Sequence, residues 1–300
     1  MKTSQRELQF SGFLDSREKF VHDVSQVVEG YPSGIQLIGT GLLLMKDQPR
    51  HRFILGMRVD YTTYPDATQR VLDWAKAGEH RAISLACVNN VMESHSRPEF
   101  RAQMNSCDLV TSDGQPLAWA LRLMGIKGAT RVYGPDLTLW VCEAAAKEGV
   151  PIGLYGGTPE SLREFVNFLR GRYPGIQIAC RIAPAFRPLT QEEDDEYTRQ
   201  IVDSGARILF VGIGCPKQET WMVKHRERIP AAILSVGAAF DFHSGRVTQA
   251  PRWMMKSGLE WFFRLVVEPK RLWKRYIFRN PAFVALFTWQ LLTTSTEENS

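Results

Sequence analysis

The chain has 300 residues, 44% hydrophobic and 23% charged, with 37 Lys and Arg against 32 Asp and Glu for a formal charge of +5. That length buries one large α/β domain or two small ones, and the composition excludes disordered and low-complexity classes. Five scattered cysteines (Cys87, Cys107, Cys142, Cys180, Cys215) contain no CxxC pair, which excludes a disulfide framework and points to a reducing compartment.

In chain order, the first 20 residues are charged throughout and lack the apolar stretch of a secretory signal. Residues 1–50 fit no repeating pattern and are read as an N-terminal extension. From about residue 53, short runs apolar on both faces recur at 53–59, 82–88, 108–111, 152–155, 176–182, 207–211 and 232–236. Such runs suit the strands of a covered parallel sheet. The segments between them read as helices. Thr158-Pro159 supplies an N-cap and a first-turn proline, and Thr190 with Glu193 forms a capping box. Gly149 and Gly205 fall at helix C-caps. Repeated β-α units predict an α/β fold over 51–250, a Rossmann-like, mostly parallel sheet with helices on both faces.

The charge is uneven. Residues 252–279 hold eight bases and two acids, a local charge of +6, and leave the rest of the chain at −1. Trp253, Trp261, Phe262, Phe263, Trp273, Tyr276 and Phe278 interleave with those bases. Rings and cations together suit a headgroup region; a nucleic-acid groove has similar needs, but the bulky apolar content favours a membrane. An apolar dozen at 281–292 is too short to span a bilayer, which takes roughly 20 residues. It carries Phe283, Phe287 and Trp289 on roughly one face. Residues 251–300 are therefore expected to form a basic, aromatic C-terminal helical appendage.

Ligands of open α/β sheets bind where strands end and helices begin, and the unusual residues cluster at those points. Asp113, Gly114 and Gln115 follow one run, and Gly156, Gly157 and Thr158 follow another. Gly212, Gly214, Lys217, Gln218 and Glu219 follow a third, and Gly237 and Asp241 a fourth. Gly156-Gly157 before a helix suits a phosphate or a plain tight turn. Gly212-Ile213-Gly214 lacks the third glycine of a dinucleotide fingerprint, because Lys217 stands there. Asp113 reads as a general base, a metal ligand or the N-cap of the helix near Pro116. His243, a lone histidine, reads as structural. No zinc, P-loop or serine-hydrolase signature is present, and no Asp-x-Asp pair. No metal or cofactor is expected, so a diphosphate would need protein cations. On these residues alone, a dehydrogenase-like or nucleic-acid-binding α/β protein remains the alternative.

Six ordered segments carry a resemblance: Ser112–Leu117, Arg131–Leu137 (with Gly134 and Asp136), Tyr155–Gly157, Val211–Glu219, Gly237–Asp241 and Gly258–Arg264. Over about residues 55–280 the chain resembles the WecG/TagA/CpsF bacterial glycosyltransferases. The resemblance implies inverting, metal-independent transfer of a hexose, of N-acetylmannosamine type or another, from a UDP-sugar. It implies a sugar acceptor on a polyprenyl diphosphate, in cell-surface polysaccharide synthesis at the cytoplasmic face of the plasma membrane, and no nucleic-acid partner. Oligomerisation stays open. It assigns Asp113 as general base, puts Arg131 and Gln218 in the catalytic pocket, and gives Arg264, Arg271 and Lys274 to the leaving diphosphate. The chain departs from the family where a Thr-x-Asn pair is usual: it reads Leu85-Ala86-Cys87, with Asn89 in place of a histidine.

Overall fold

The computed structural model describes residues 49–297. The extension expected over 1–50 lies, except for its last two residues, outside the described residues. The apolar run at 53–59, expected as one strand, is a hairpin of β1 (His51–Ile54) and β2 (Met57–Asp60). Leu55 and Gly56 break it at φ 48° and 83°, and positive φ at both central residues matches the twist of a tight hairpin. Hydrophobicity runs through the turn unbroken, which is why periodicity alone misses it. The buried Asp60 carboxylate accepts a hydrogen bond from the Val110 N–H at 2.7 Å and fixes the hairpin beside the main sheet.

The other runs all form strands: β3 (Arg81–Ala86), β4 (Leu109–Ser112), β5 (Ile152–Gly156), β6 (Ile178–Ile182), β7 (Ile208–Gly212) and β8 (Ala232–Ser235). They pair parallel throughout in the order β4-β3-β8-β7-β5-β6. Before β6 come helices α1 (Tyr64–Ala77), α2 (Val88–Ser96), α3 (Pro98–Asn105), α4 (Gln115–Leu123), α5 (Gly134–Glu148) and α6 (Pro159–Arg172). After it come α7 (Gln191–Asp203), α8 (Lys217–His225) and α9 (Ala239–His243). Thr158 and Thr190 cap α6 and α7 as their sequences require, and Gly149 ends α5 at φ 67°.

Alternate strand residues face opposite ways, and the core divides accordingly. Ile83, Leu85, Ile208, Phe210 and Leu234 pack with Val71, Leu137 and Phe165 of α1, α5 and α6. Ala82, Ala86, Leu209, Val211 and Ile233 pack with Val91, Phe100, Leu117 and Met222 of α2, α3, α4 and α8. Helices thus cover both faces.

The C-terminal segment runs through α10 (Arg252–Lys256), α11 (Glu260–Val267), α12 (Pro269–Lys274), a π-helical turn (Arg275–Arg279) and α13 (Asn280–Glu297). No described helix is long and apolar enough to cross a membrane. Phe283 and Phe287, one helical turn apart, stack at 5.7 Å and bury themselves in the second core cluster. Trp289 does not join them and is 69% exposed, because two residues turn about 200° around a helix. The Gln290 side chain completes the attachment, donating to the Phe53 carbonyl and accepting from the Leu55 N–H. Phe287→Ala should cost about 3–5 kcal/mol of unfolding free energy. Urea denaturation checks this, and a cost below ~1 kcal/mol would mean that α13 does not share the core.

Candidate active site

The carboxyl ends of β3, β4, β7 and β8 surround a cavity of about 550 Å³, whose lining includes Asn89, Asp113, Gly134, Gly214, Gln218, Glu219, Gly237 and Arg264. Three of the four sequence clusters, those of Asp113, of Gly214 with Gln218 and Glu219, and of Gly237, contribute to this one wall, as convergence at strand ends requires. Gly156, Gly157 and Thr158, expected to join them, do not line it. A smaller cavity of about 110 Å³ adjoins it, sharing Cys87, Asn89, Asp113 and Arg264 and adding Gln115, Arg131, Glu260 and Trp261.

Asp113 leaves β4 at the junction of the two cavities. It does not cap the helix that follows, since Gly114 holds the N-cap of α4. Its Oδ1 instead accepts the N–H of Gly134, the first residue of α5, at 2.7 Å. A free N–H at a helix start favours a carboxylate, so α5 fixes the orientation of Asp113. Burial nevertheless pushes the carboxyl from 3.8 up to about 6, with Arg131 and the Gly134 N–H pulling it down, Glu260 pushing it up and Arg264 opposing.

Arg131 crosses beneath this group. Its Nε donates to the Asp113 carbonyl, its Nη2 donates to Glu260 at 2.6 Å, and its guanidinium lies 4.1 Å from the centre of the Tyr133 ring. Both members of the Arg131–Glu260 pair are 13% exposed. Glu260 is the first residue of α11, so the pair joins the C-terminal helices to the strand-end loop.

In the first turn of α8 the helical period sends neighbouring side chains in different directions. Gln218 and Glu219 turn inward and are buried. Gln218 Oε1 accepts the N–H groups of Gly214 and Gly237, at 3.1 and 3.2 Å, and its Nε2 donates to Glu219. One amide thereby ties together the loops after β7 and β8. Burial pushes the Glu219 carboxyl upward, with Gln218 the chief opposing influence. The Asn90 amide and the Cys215 thiol beside it also draw that carboxyl down. Lys217 points elsewhere and, with Gly157, lines a separate cavity of about 550 Å³.

Asn89 donates to Cys215 Sγ at 3.1 Å and accepts from Arg279 at 2.8 Å, while Arg279 also meets Glu93 at 2.6 Å. Gly156 and Gly212 are packing positions. A Cβ on Gly156 would fall 2.4 Å from the Gly212 carbonyl oxygen, and one on Gly212 would fall 2.8 Å from that of Gly237. Asp136 is held by Arg252, and Asp241 accepts from Ser161 at 2.7 Å. His243 packs beside Phe165 and Phe168 and donates to the Pro135 carbonyl, a structural arrangement. The side chains of Arg271 and Lys274 lie outside the described residues. Sequence reasoning missed Glu260 as the partner of Arg131 and Arg279 as a wall of the cavity. Arg279 stood out only as one base among eight.

A family model described as the glycosyl transferase WecG/TagA/CpsF family matches residues 52–297. The chain belongs to this family. A similar curated protein of Bacillus spizizenii is named N-acetylglucosaminyldiphosphoundecaprenol N-acetyl-beta-D-mannosaminyltransferase. It is 28% identical over 186 residues, which cover 62% of this chain and 70% of that protein. As a member of this family, the chain is a glycosyltransferase.

The raised carboxyl of Asp113 has a consequence for stability. A group whose folded value lies above its unfolded value contributes stability that is intact below about pH 4 and lost as pH rises to about 6. Above pH 6 the buried charge persists, so Asp113→Asn should be more stable than the parent by up to ~3 kcal/mol. Below pH 4 the two should be nearly equal. In a Glu260→Gln background the gap should shrink, because a neighbouring negative charge has gone. Denaturant melts at pH 4 and pH 8 measure both gaps; equal stability at pH 8 would refute the burial argument.

Proposed function

We propose that this glycosyltransferase moves a hexose from a UDP-sugar, with inversion and without a divalent metal, to a sugar carried on a polyprenyl diphosphate. The observation that carries the reading is the Asp113 carboxylate, half-buried between two cavities that it lines and shifted to about 6. Such a group is ionised near neutral pH and still basic enough to take a proton. Gly134 holds one oxygen, and the other is left for the acceptor hydroxyl. As that hydroxyl attacks the anomeric carbon, its proton passes to Asp113 and the bond to UDP breaks on the opposite face. Inversion follows from a single in-line displacement.

The leaving diphosphate needs positive charge. Arg264 and Arg279 line the larger cavity, and the sequence places Arg271 and Lys274 on the helix between them. Guanidinium groups bind phosphate oxygens in pairs, which supports a reaction that needs no divalent cation; Lys274 would act as a point charge. Glu219 and Asn90, polar groups on the cavity wall, suit a sugar's hydroxyl and acetamido groups. The name of the Bacillus spizizenii relative describes N-acetylmannosaminyl transfer to an N-acetylglucosaminyl-diphosphoundecaprenol, and we assign this chain the same class of donor and acceptor. Leu85 and Cys87 replace the family's usual Thr-x-Asn pair on the cavity wall, which makes the donor sugar the most variable part of the assignment.

A lipid-linked acceptor requires a membrane surface. The C-terminal segment, 251–300, serves as the membrane-associating appendage, with its +6 stretch meeting anionic lipid. Free cysteines agree with the reducing, cytoplasmic face. The test is UDP release across a panel of UDP-sugars with a short polyprenyl-linked acceptor. Asp113→Asn should retain the thermal stabilisation given by UDP and lose turnover by about 10²–10⁴-fold. Full turnover in that variant removes Asp113 as the base, and stabilisation by NAD but not UDP removes the donor class.

A further inference from the structure

We infer that the exposed face of α4, in the body of the enzyme, docks on an anionic lipid surface beside the C-terminal helices. The inference rests on the proposed membrane-bound acceptor and adds a second, separate contact to it. A surface helix normally buries one apolar stripe and offers polar residues on the other side. α4 buries Leu117, Ala118, Ala120 and Leu121, yet its outer side presents Trp119 and Leu123, 42% and 67% exposed. These two are four residues apart and therefore share a face.

That face continues into α11. A Cβ on Gly258 would lie 2.5 Å from the Trp119 ring, so the indole rests on the loop that leads into α11. Leu259, Trp261 and Phe262, which follow Gly258, are themselves exposed. Contiguous exposed apolar surface marks an interaction site rather than ordinary solvent-facing surface. The smaller cavity lies where the two elements meet, lined by Asp113, Gln115, Pro116, Gly258 and Trp261. An acceptor whose lipid lies in a bilayer against this face has a short path to the carboxylate.

Charge selects the occupant. Residues 115–130 contain Arg122 and Lys127 and no acid. A second copy of the same face would meet like charge, whereas anionic headgroups attract it and rings settle at their level. Trp140 provides the contrast. It is also exposed, but it belongs to α5 in the opposite layer and stacks on Tyr64 at 5.8 Å.

The test uses the full chain and vesicles of mixed phosphatidylglycerol and phosphatidylcholine. Trp119→Ser/Leu123→Ser should lower the vesicle partition coefficient by roughly tenfold or more, with UDP-induced stabilisation unchanged. Trp140→Ser should partition like the parent. Leu123→Ser alone, at the more exposed position, should lower partition in the same direction and covers the case in which the double variant does not fold. If the parent fails to bind the vesicles, the membrane reading itself fails. If the parent binds and the α4 variants bind equally, the α4 inference fails while the membrane reading stands. If the parent is a dimer by light scattering and the α4 variants are monomers, the face is an interface between copies, and the inference is overturned.

Discussion

The guanidinium of Arg131 is the contact through which the two halves of the site communicate. It holds the backbone of Asp113, lies over Tyr133 and ends on Glu260. The first partner follows β4, the second caps α5 and the third opens α11. An isolated buried arginine would be costly; here Nε and Nη2 meet acceptors and the face of the group meets a ring. Arg131 draws the Asp113 carboxyl down and Glu260 pushes it up. The acidity of the proposed base therefore depends on whether the C-terminal helices are seated.

The floor of the cavity works by a different principle. Gln218 spends its amide on two backbone N–H groups and on Glu219, and Asn89 spends its own on Cys215 and Arg279. These groups set loop positions, so mutating them disturbs geometry before chemistry. Glu219 is held in the same way, by Gln218, Asn90 and Cys215.

The central sheet was legible in the sequence because most of its strands are short, doubly apolar runs between well-capped helices. Three of the four strand-end clusters were legible as one site because sheet topology brings them together whatever their spacing. Three things were not. The hairpin turn at Leu55-Gly56 hides inside an apolar run. The Arg131–Glu260 and Asn89–Arg279 contacts join residues 129 and 190 positions apart, with no local pattern to announce them. Asp136 and Asp241 carry the right chemistry near the right strands, but Arg252 and Ser161 engage them outside the large cavity. A polar residue at a strand end is a candidate; only packing shows what its side chain already holds.

The global charge of +5 divides into a nearly neutral body and a +6 segment at 252–279, yet the structure does not let the C-terminal helices that carry it act as a detachable tail. Met255, Leu272, Phe283 and Phe287 are buried, Glu260 and Arg279 reach into the site, and Gln290 grips the hairpin. The same helices expose Trp253, Trp261, Phe262, Phe278 and Trp289 on the outside. One side of the segment thus completes the cavity while the other carries the rings and bases suited to lipid. A force that seats these helices on a surface acts directly on the Arg131–Glu260 pair, and through it on Asp113. In the proposed enzyme, membrane association would bear on the position of the base, because the same C-terminal helices supply Glu260 and the exposed rings.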